Sequence, residues 1–214
     1  MSLATENYRR SIVDYCSFIG RDPLLVQGAG GNVSWKEGGT LWIKASGTWL
    51  ADANSRDIFV PVDLEHLQEA CLRRDFTVVP IVCSESDLKP SIETLLHALM
   101  PQRVVIHLHA VDILAYLVCD NYVEQFQLKL DTSICWVSVE YHKPGCELAA
   151  AVATALGQEP KADVVFLKNH GVVIGGETVA DVTRIMSRLI SQLGRKEVYT
   201  ESTPPASLSS IWDE

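Results

Sequence analysis

No C-x-x-C pair occurs in the chain, and its six cysteines, Cys16, Cys71, Cys83, Cys119, Cys135 and Cys146, stand singly. That spacing excludes clustered thiolate zinc sites, and a chain of 214 residues has core enough without disulfide staples, so free thiols are expected. Long apolar runs are lacking too. The stretch from Val104 to Val118 is interrupted by His107, His109 and Asp112, short of the roughly 18 unbroken apolar residues that a membrane span requires. Met1 to Asn7 has no basic segment leading into an apolar one, so no secretory signal is expected and the cytoplasm is the expected compartment. Basic residues are the minority, 18 against 27 acidic ones for a net charge of -9, and nothing gathers them into a stripe. A nucleic-acid partner is therefore not expected. What remains, 47% apolar and 21% charged, is ordinary globular composition. It predicts a single domain over residues 1–200 and a Ser- and Pro-rich tail over 201–214.

Periodicity sets the order of elements. Apolar Tyr8, Ile12, Tyr15, Cys16 and Ile19 recur at helical spacing and stop at Gly20 to Pro23. The runs Asn32 to Trp35 and Thr40 to Lys44 read as a hairpin around Lys36-Glu37-Gly38-Gly39. A strand at Ile58 to Val62 leads to Asp63 as N-cap of a helix through Arg73, and Ser91 is read as the cap of a short helix towards Met100, stopped by Pro101. Arg103 to His109 reads as a strand, Val111 to Cys119 as a helix covering it, Ile134 to Val139 as a strand and Gly145 to Leu156 as a helix. Val164 to Leu167 and Val172 to Ile174 form a strand pair, followed by a helix from Thr178 to Tyr199. The mixture predicts a three-layer α/β/α domain with a mixed, largely antiparallel central sheet. Gly28-Ala29-Gly30-Gly31-Asn32 opens a hairpin and has no helix behind it, so it does not fit a dinucleotide site.

Three of the six histidines fall between positions 97 and 109. In a strand, His107 and His109 point to the same face, so both imidazoles can reach one point. Spacing alone leaves two readings open, a pair of metal ligands or two buried, hydrogen-bonded histidines. Two features favour the metal: Glu93, which a short connection through Pro101 can fold back over the strand, and His170, set between Asn169 and Gly171 where two apolar runs break. Three imidazoles with a carboxylate form a nitrogen-rich donor set of the kind zinc favours.

Five motifs in order, Gly30-Gly31-Asn32-Val33-Ser34, Lys44-Ala45-Ser46-Gly47, Pro90-Ser91-Ile92-Glu93, His107-Leu108-His109 and Asn169-His170-Gly171, resemble the signature of the class II aldolase/adducin family, typified by fuculose-phosphate aldolase. The likeness spans nearly the whole chain. In motif form it is nearest to the aldolase halves of bifunctional aldolase/dehydrogenase proteins; no dehydrogenase half follows in this sequence, so such a half is expected on a separate chain or not at all.

The resemblance implies one Zn2+ per subunit held by His107, His109 and His170, with Glu93 as a fourth ligand that can leave the metal and act as the base. It implies a homotetramer with active sites between subunits, and a lyase that breaks or forms a carbon-carbon bond of a ketose phosphate or related aldol through an enediolate. Gly31, Asn32, Ser46, Gly47 and Ser91 match positions that bind the substrate phosphate. Ala29 and Ile92 depart from the pattern, since they stand where the family has a threonine and a serine, and Lys44 or Lys89 is the candidate compensation. Tyr199 is the candidate proton donor by position. His97 reads as structural or pocket-lining, within reach of Glu93 one helical turn away, while His66 and His142 read as surface residues. A sugar-phosphate 4-epimerase or a dehydratase would share the scaffold, and an adducin-like interaction module would keep the fold without the metal.

Overall fold

The computed structural model describes residues 3–194. The first helix, α1 (Leu3–Ile19), buries Ile12, Tyr15, Cys16 and Ile19 along one stripe, as the spacing requires. Strands β1 (Asn32–Glu37) and β2 (Thr40–Lys44) form the expected hairpin. Its two loop residues, Gly38 and Gly39, have φ of 56° and 77°, the left-handed pair that tight hairpins demand. Then follow β3 (Phe59–Asp63), α2 (Leu64–Leu72), α3 (Thr94–Leu99), β4 (Val104–Leu108), α4 (Val111–Leu117), α5 (Tyr122–Lys129), β5 (Trp136–Val139), α6 (Cys146–Gln158), β6 (Val164–Leu167), β7 (Gly171–Gly176) and α7 (Val179–Leu193). Asp63 caps α2 as expected, accepting from the backbone N–H of His66 at 2.9 Å.

The strands make one seven-stranded sheet in the order β3-β2-β1-β4-β7-β6-β5. Every neighbouring pair is antiparallel except β5 and β6. One face, carrying Val33, Trp35, Ile106, Phe166 and Ile174, packs on α1, α4, α5 and α7. The other, carrying Ile43, Val60, Val105, Val165 and Val173, packs on α2, α3 and α6. This is the predicted three-layer α/β/α domain with a mixed sheet. The last helix is closed at its start by a reciprocal cap, in which Thr178 accepts from Asp181 N at 3.2 Å and Asp181 accepts from Thr178 N at 3.1 Å. Thr178→Ala is expected to lower the unfolding free energy by about 1 kcal/mol, read from urea denaturation.

Three expectations need correction. Ser91 is not the N-cap of the helix after it: α3 starts at Thr94 with Glu93 in the capping position, because Pro90 is held extended by a bridge to Ala45 and the Ser91 hydroxyl instead accepts from Glu93 N at 3.2 Å. Glu93 thus precedes the helix instead of lying in it, and His109 sits just past the end of β4. Helix α5 was not expected at all. The extension of the last helix to Tyr199 lies outside the described residues, as do Tyr199 itself and the 201–214 tail. All six cysteines are free thiols, and no described helix is long and apolar enough to cross a membrane.

Candidate active site

Antiparallel pairing brings the start of β1, the end of β4 and the start of β7 to one end of the sheet. In that register His107 lies between Asn32 and Val173. The turn from β6 to β7 is tight, with Asn169 in a left-handed φ of 54°, which asparagine tolerates well. Gly171 follows because nothing larger fits: an added Cβ would stand 2.5 Å from the Leu108 carbonyl and 3.2 Å from the rings of both His107 and His109. The imidazoles of His107, His109 and His170 therefore meet, with centroids 4.9 to 5.4 Å apart. One nitrogen from each lies within 4.8 Å of the others.

The hydrogen bonds say which nitrogens are free. His107 is fully buried and its Nδ1 lies 3.2 Å from the Val172 carbonyl, an acceptor only, so Nδ1 carries the hydrogen and Nε2 keeps its lone pair. That Nε2 has no hydrogen-bond partner, nor does Oε1 of buried Glu93. Glu93 Oε1 stands 3.3 Å from His170 Nε2 and Glu93 Oε2 3.5 Å from His107 Nε2, close in space without hydrogen-bond alignment. Buried polar atoms left unsatisfied cost about 1 to 3 kcal/mol each, and a shared cation would satisfy both. The donor set fits a zinc-type metal: three neutral imidazoles whose nitrogens converge, a carboxylate beside two of them, and one imidazole oriented by a backbone carbonyl behind it.

Electrostatics favour the ligand form of each group. Burial pushes His107 down to about 4, and His109 and His170 are likewise lowered by burial, so all three imidazoles are neutral at pH 7. Burial acts upward on Glu93, but it is outweighed by the neighbouring His107 and His170 and by the Asn32 hydrogen bond, which hold the carboxyl below its ordinary value. A carboxylate beside neutral imidazoles is the state a cation would meet.

A cavity of about 250 Å3 opens above the cluster. Glu93, His109, His170, Gly31, Asn32, Ser46, Gly47 and Ser91 all line it, while fully buried His107 is not part of the lining and meets it through its neighbours Glu93 and His170. Ala29 and Ile92 line it too, so the two departures from the family pattern face the cavity. Of the two candidate lysines, Lys89 is exposed and outside the lining; Lys44 is inside it, 2% exposed. Its ammonium is already committed to backbone carbonyls, at 2.6 Å from Thr48 and 3.1 Å from Ala29, and burial pushes it down to about 8. Lys44 thus clamps the glycine loop against the 45–48 turn. The Asn32 carboxamide is also committed, donating to Glu93 Oε2 at 2.8 Å and Ser91 Oγ at 3.3 Å. His97 does not bond the Glu93 side chain: its ring is fully buried between Ser34 and Asn32, a role the sequence hinted at only through its place one turn after Glu93. Pro144, which sequence reasoning did not single out, closes one side. His66 and His142 are half-buried and outside the cavity.

A model of the class II aldolase and adducin N-terminal domain matches residues 10–191. The chain belongs to this family. Among sequence relatives of this class II aldolase-family chain, the uncharacterized oxidoreductase YuxG of Bacillus subtilis (strain 168) is 29% identical over 178 residues, 76% of this chain and 25% of YuxG. The chain thus spans about a quarter of that protein's length. The L-fuculose phosphate aldolase of Methanococcus maripaludis (strain C7 / ATCC BAA-1331) is 26% identical over 167 residues, 75% of this chain and 80% of that enzyme. Among solved structures, the N-terminal class II aldolase domain of a conserved protein from Thermoplasma acidophilum superposes with a TM-score of 0.70 at 26% identity, covering 85% of this chain and 90% of that one.

Proposed function

We propose that the chain is a zinc-dependent aldehyde-lyase that breaks or forms a carbon-carbon bond of a ketose phosphate or related aldol. What supports this most directly is the two unsatisfied buried atoms, His107 Nε2, 3.5 Å from Glu93 Oε2, and Glu93 Oε1, 3.3 Å from His170 Nε2, next to an open cavity lined by Glu93 and His170. In this reading His107, His109 and His170 hold one Zn2+ and Glu93 supplies a fourth ligand. A zinc ion there supplies Lewis acidity to a substrate oxygen. Glu93, desolvated and ionised, takes and returns the proton at the carbon next to the carbonyl, the task for which a buried carboxylate suits a general base. Ser46, Gly47 and Ser91 hold the anionic end of the substrate. With Ala29 and Ile92 replacing hydroxyl donors and Lys44 committed elsewhere, that contact is weaker than the family's phosphate site, and a substrate with a weaker anion than phosphate fits as well. The domain over residues 1–200 assembles as a homotetramer in the cytoplasm, and Tyr199 donates the proton to the aldehyde oxygen.

The test is turnover of the full-length, zinc-loaded chain with dihydroxyacetone phosphate or dihydroxyacetone and a panel of aldehydes. Expected is a carbon-carbon bonded product whose formation falls at least 100-fold in Glu93→Gln, the range for losing a general base. Absence of any such product from the metal-loaded chain, or full activity in Glu93→Gln, would overturn it. Isomerised or dehydrated products from the corresponding ketose phosphates would instead assign the 4-epimerase or dehydratase reaction of the same scaffold.

A further inference from the structure

Asn32 begins β1, and Ser34, two residues on, shares its face of the sheet. His97, on α3, is fully buried across both. Its Nδ1 lies 2.7 Å from Ser34 Oγ, and its Nε2 is hydrogen-bonded to Asn32 Oδ1. The Asn32 amide nitrogen continues the chain to Glu93 Oε2 at 2.8 Å. Four side chains from β1, α3 and the segment before α3 thus form one line from the core to the candidate base.

The direction of every bond in this line follows from its end. An ionised carboxylate only accepts, so Asn32 must turn its NH2 towards Glu93 and its oxygen towards His97. An amide oxygen only accepts as well, so Nε2 of His97 carries the hydrogen. Nδ1 is then the acceptor, and the Ser34 hydroxyl donates to it. Because burial keeps His97 neutral, the ring has one hydrogen and one lone pair, and both are used. The two Glu93 oxygens are thereby made unequal: Oε2 is held by Asn32, while Oε1, without a hydrogen-bond partner, stands 3.3 Å from His170 Nε2.

We propose that His97, seated on Ser34, is a positioning residue that locks the Asn32 carboxamide towards Glu93, so that Glu93 is held by Oε2, the oxygen 3.5 Å from His107 Nε2, and presents Oε1 to His170. Asn32 is then an orienting group for Glu93, with both amide hydrogens committed to Ser91 and Glu93, and is not a side-chain donor to the anionic end of a substrate. The consequence for a bound cation rests on the function proposed above; the orientation chain itself does not.

Two measurements on the full-length chain test this. In the metal-free protein, 15N NMR at pH 7 is expected to show His97 as the neutral tautomer with hydrogen on Nε2. The Asn32 NH2 resonances are expected to be protected from solvent exchange, and to lose that protection in both His97→Phe and Glu93→Gln. Hydrogen on Nδ1, or Asn32 resonances that ignore both substitutions, would overturn the proposal. The second measurement is Co2+ binding followed by its visible spectrum and by competition with a chelator. His97→Phe and Ser34→Ala are each expected to weaken Co2+ about tenfold, the lower end for groups that orient a ligand, and to move the spectrum towards that of Glu93→Ala. His97→Gln, whose amide can still donate to Asn32, is expected to recover part of the loss. In a Glu93→Ala background, His97→Phe is expected to have no further effect, whereas a purely structural role would weaken binding equally in both backgrounds and sink the idea. Ser34→Ala carries the same comparison if His97→Phe does not fold. A wild-type chain that takes up no Co2+ would remove the metal reading, and the NMR result would then decide the positioning role by itself.

Discussion

Replacing His107 and His109 together by alanine is expected to take the metal content of the purified protein from near one per chain to near zero. Elemental analysis of protein prepared without chelator or a metal-binding tag reads this directly. The size of the effect follows from the geometry. Two of the three nitrogens that lie within 4.8 Å of one another disappear, leaving His170 and Glu93, and two donors do not make the closed set that holds zinc-type ions. The substitution also removes a fully buried ring between β1 and β7, which costs roughly 3 kcal/mol as a core cavity, so circular dichroism must accompany the assay. His109→Ala alone is the milder control, since His109 lies past the end of β4 and lines the cavity. The wild type carries a second signature, because a ligand at 1,000 times its dissociation constant stabilises the fold by about 4 kcal/mol and the double variant should lose that gain on zinc addition. Little metal in the wild type, unrecovered by zinc titration, would defeat the lyase reading and leave a binding module on an aldolase-family fold.

Much of this arrangement is legible in the sequence, and the parts that are not share a cause. Strands β4, β6 and β7 announced themselves as β-branched runs because both their faces are covered, and α7 because its apolar face repeats through Val182, Ile185, Met186, Leu189 and Leu193. The convergence of His107 and His109 needed only strand alternation. Helix α5 escaped notice because it buries just Tyr122 and Phe126, has no side-chain cap, and is held by aromatic contacts of Phe126 with Trp136 and Phe166 that no local pattern encodes. Ser91 imitates an N-cap, yet its hydroxyl serves a turn ahead of Glu93, and the extended Pro90 delays the helix by two residues. The commitments of Lys44 and Asn32 were invisible for a related reason. A residue type and its spacing suggest what a side chain can bind, but whether its hydrogens are already used depends on partners such as Glu93, 61 positions from Asn32. Five ordered motifs therefore specified which residues meet, and only the packed structure specified which of their atoms are still free.

Acid should unfold the metal-free chain earlier than carboxylate titration alone would. Folded His107 titrates at about 4 because burial penalises its charged form, whereas an unfolded histidine titrates near 6.5. Between those values the unfolded chain binds a proton that the folded chain refuses, so the unfolding free energy falls as pH falls. The contribution is fully present above about pH 6.5 and is lost progressively towards pH 4. At pH 5 the gap from 6.5 is about 1.5 pH units, which is roughly 2 kcal/mol from His107 alone at 1.36 kcal/mol per unit. His97, His109 and His170 are all lowered by burial and act in the same direction, and Glu93, held below its ordinary value, adds its own loss only beneath about pH 4.5. Against a total stability of about 5 to 15 kcal/mol, the His107 part is a visible fraction. Urea denaturation at pH 7, 6 and 5 with chelator present should give a midpoint that drops steadily at unchanged slope. The same midpoint at all three values would mean that these imidazoles already share protons or water in the folded chain, and the neutral, metal-ready state argued for the site would fail with it.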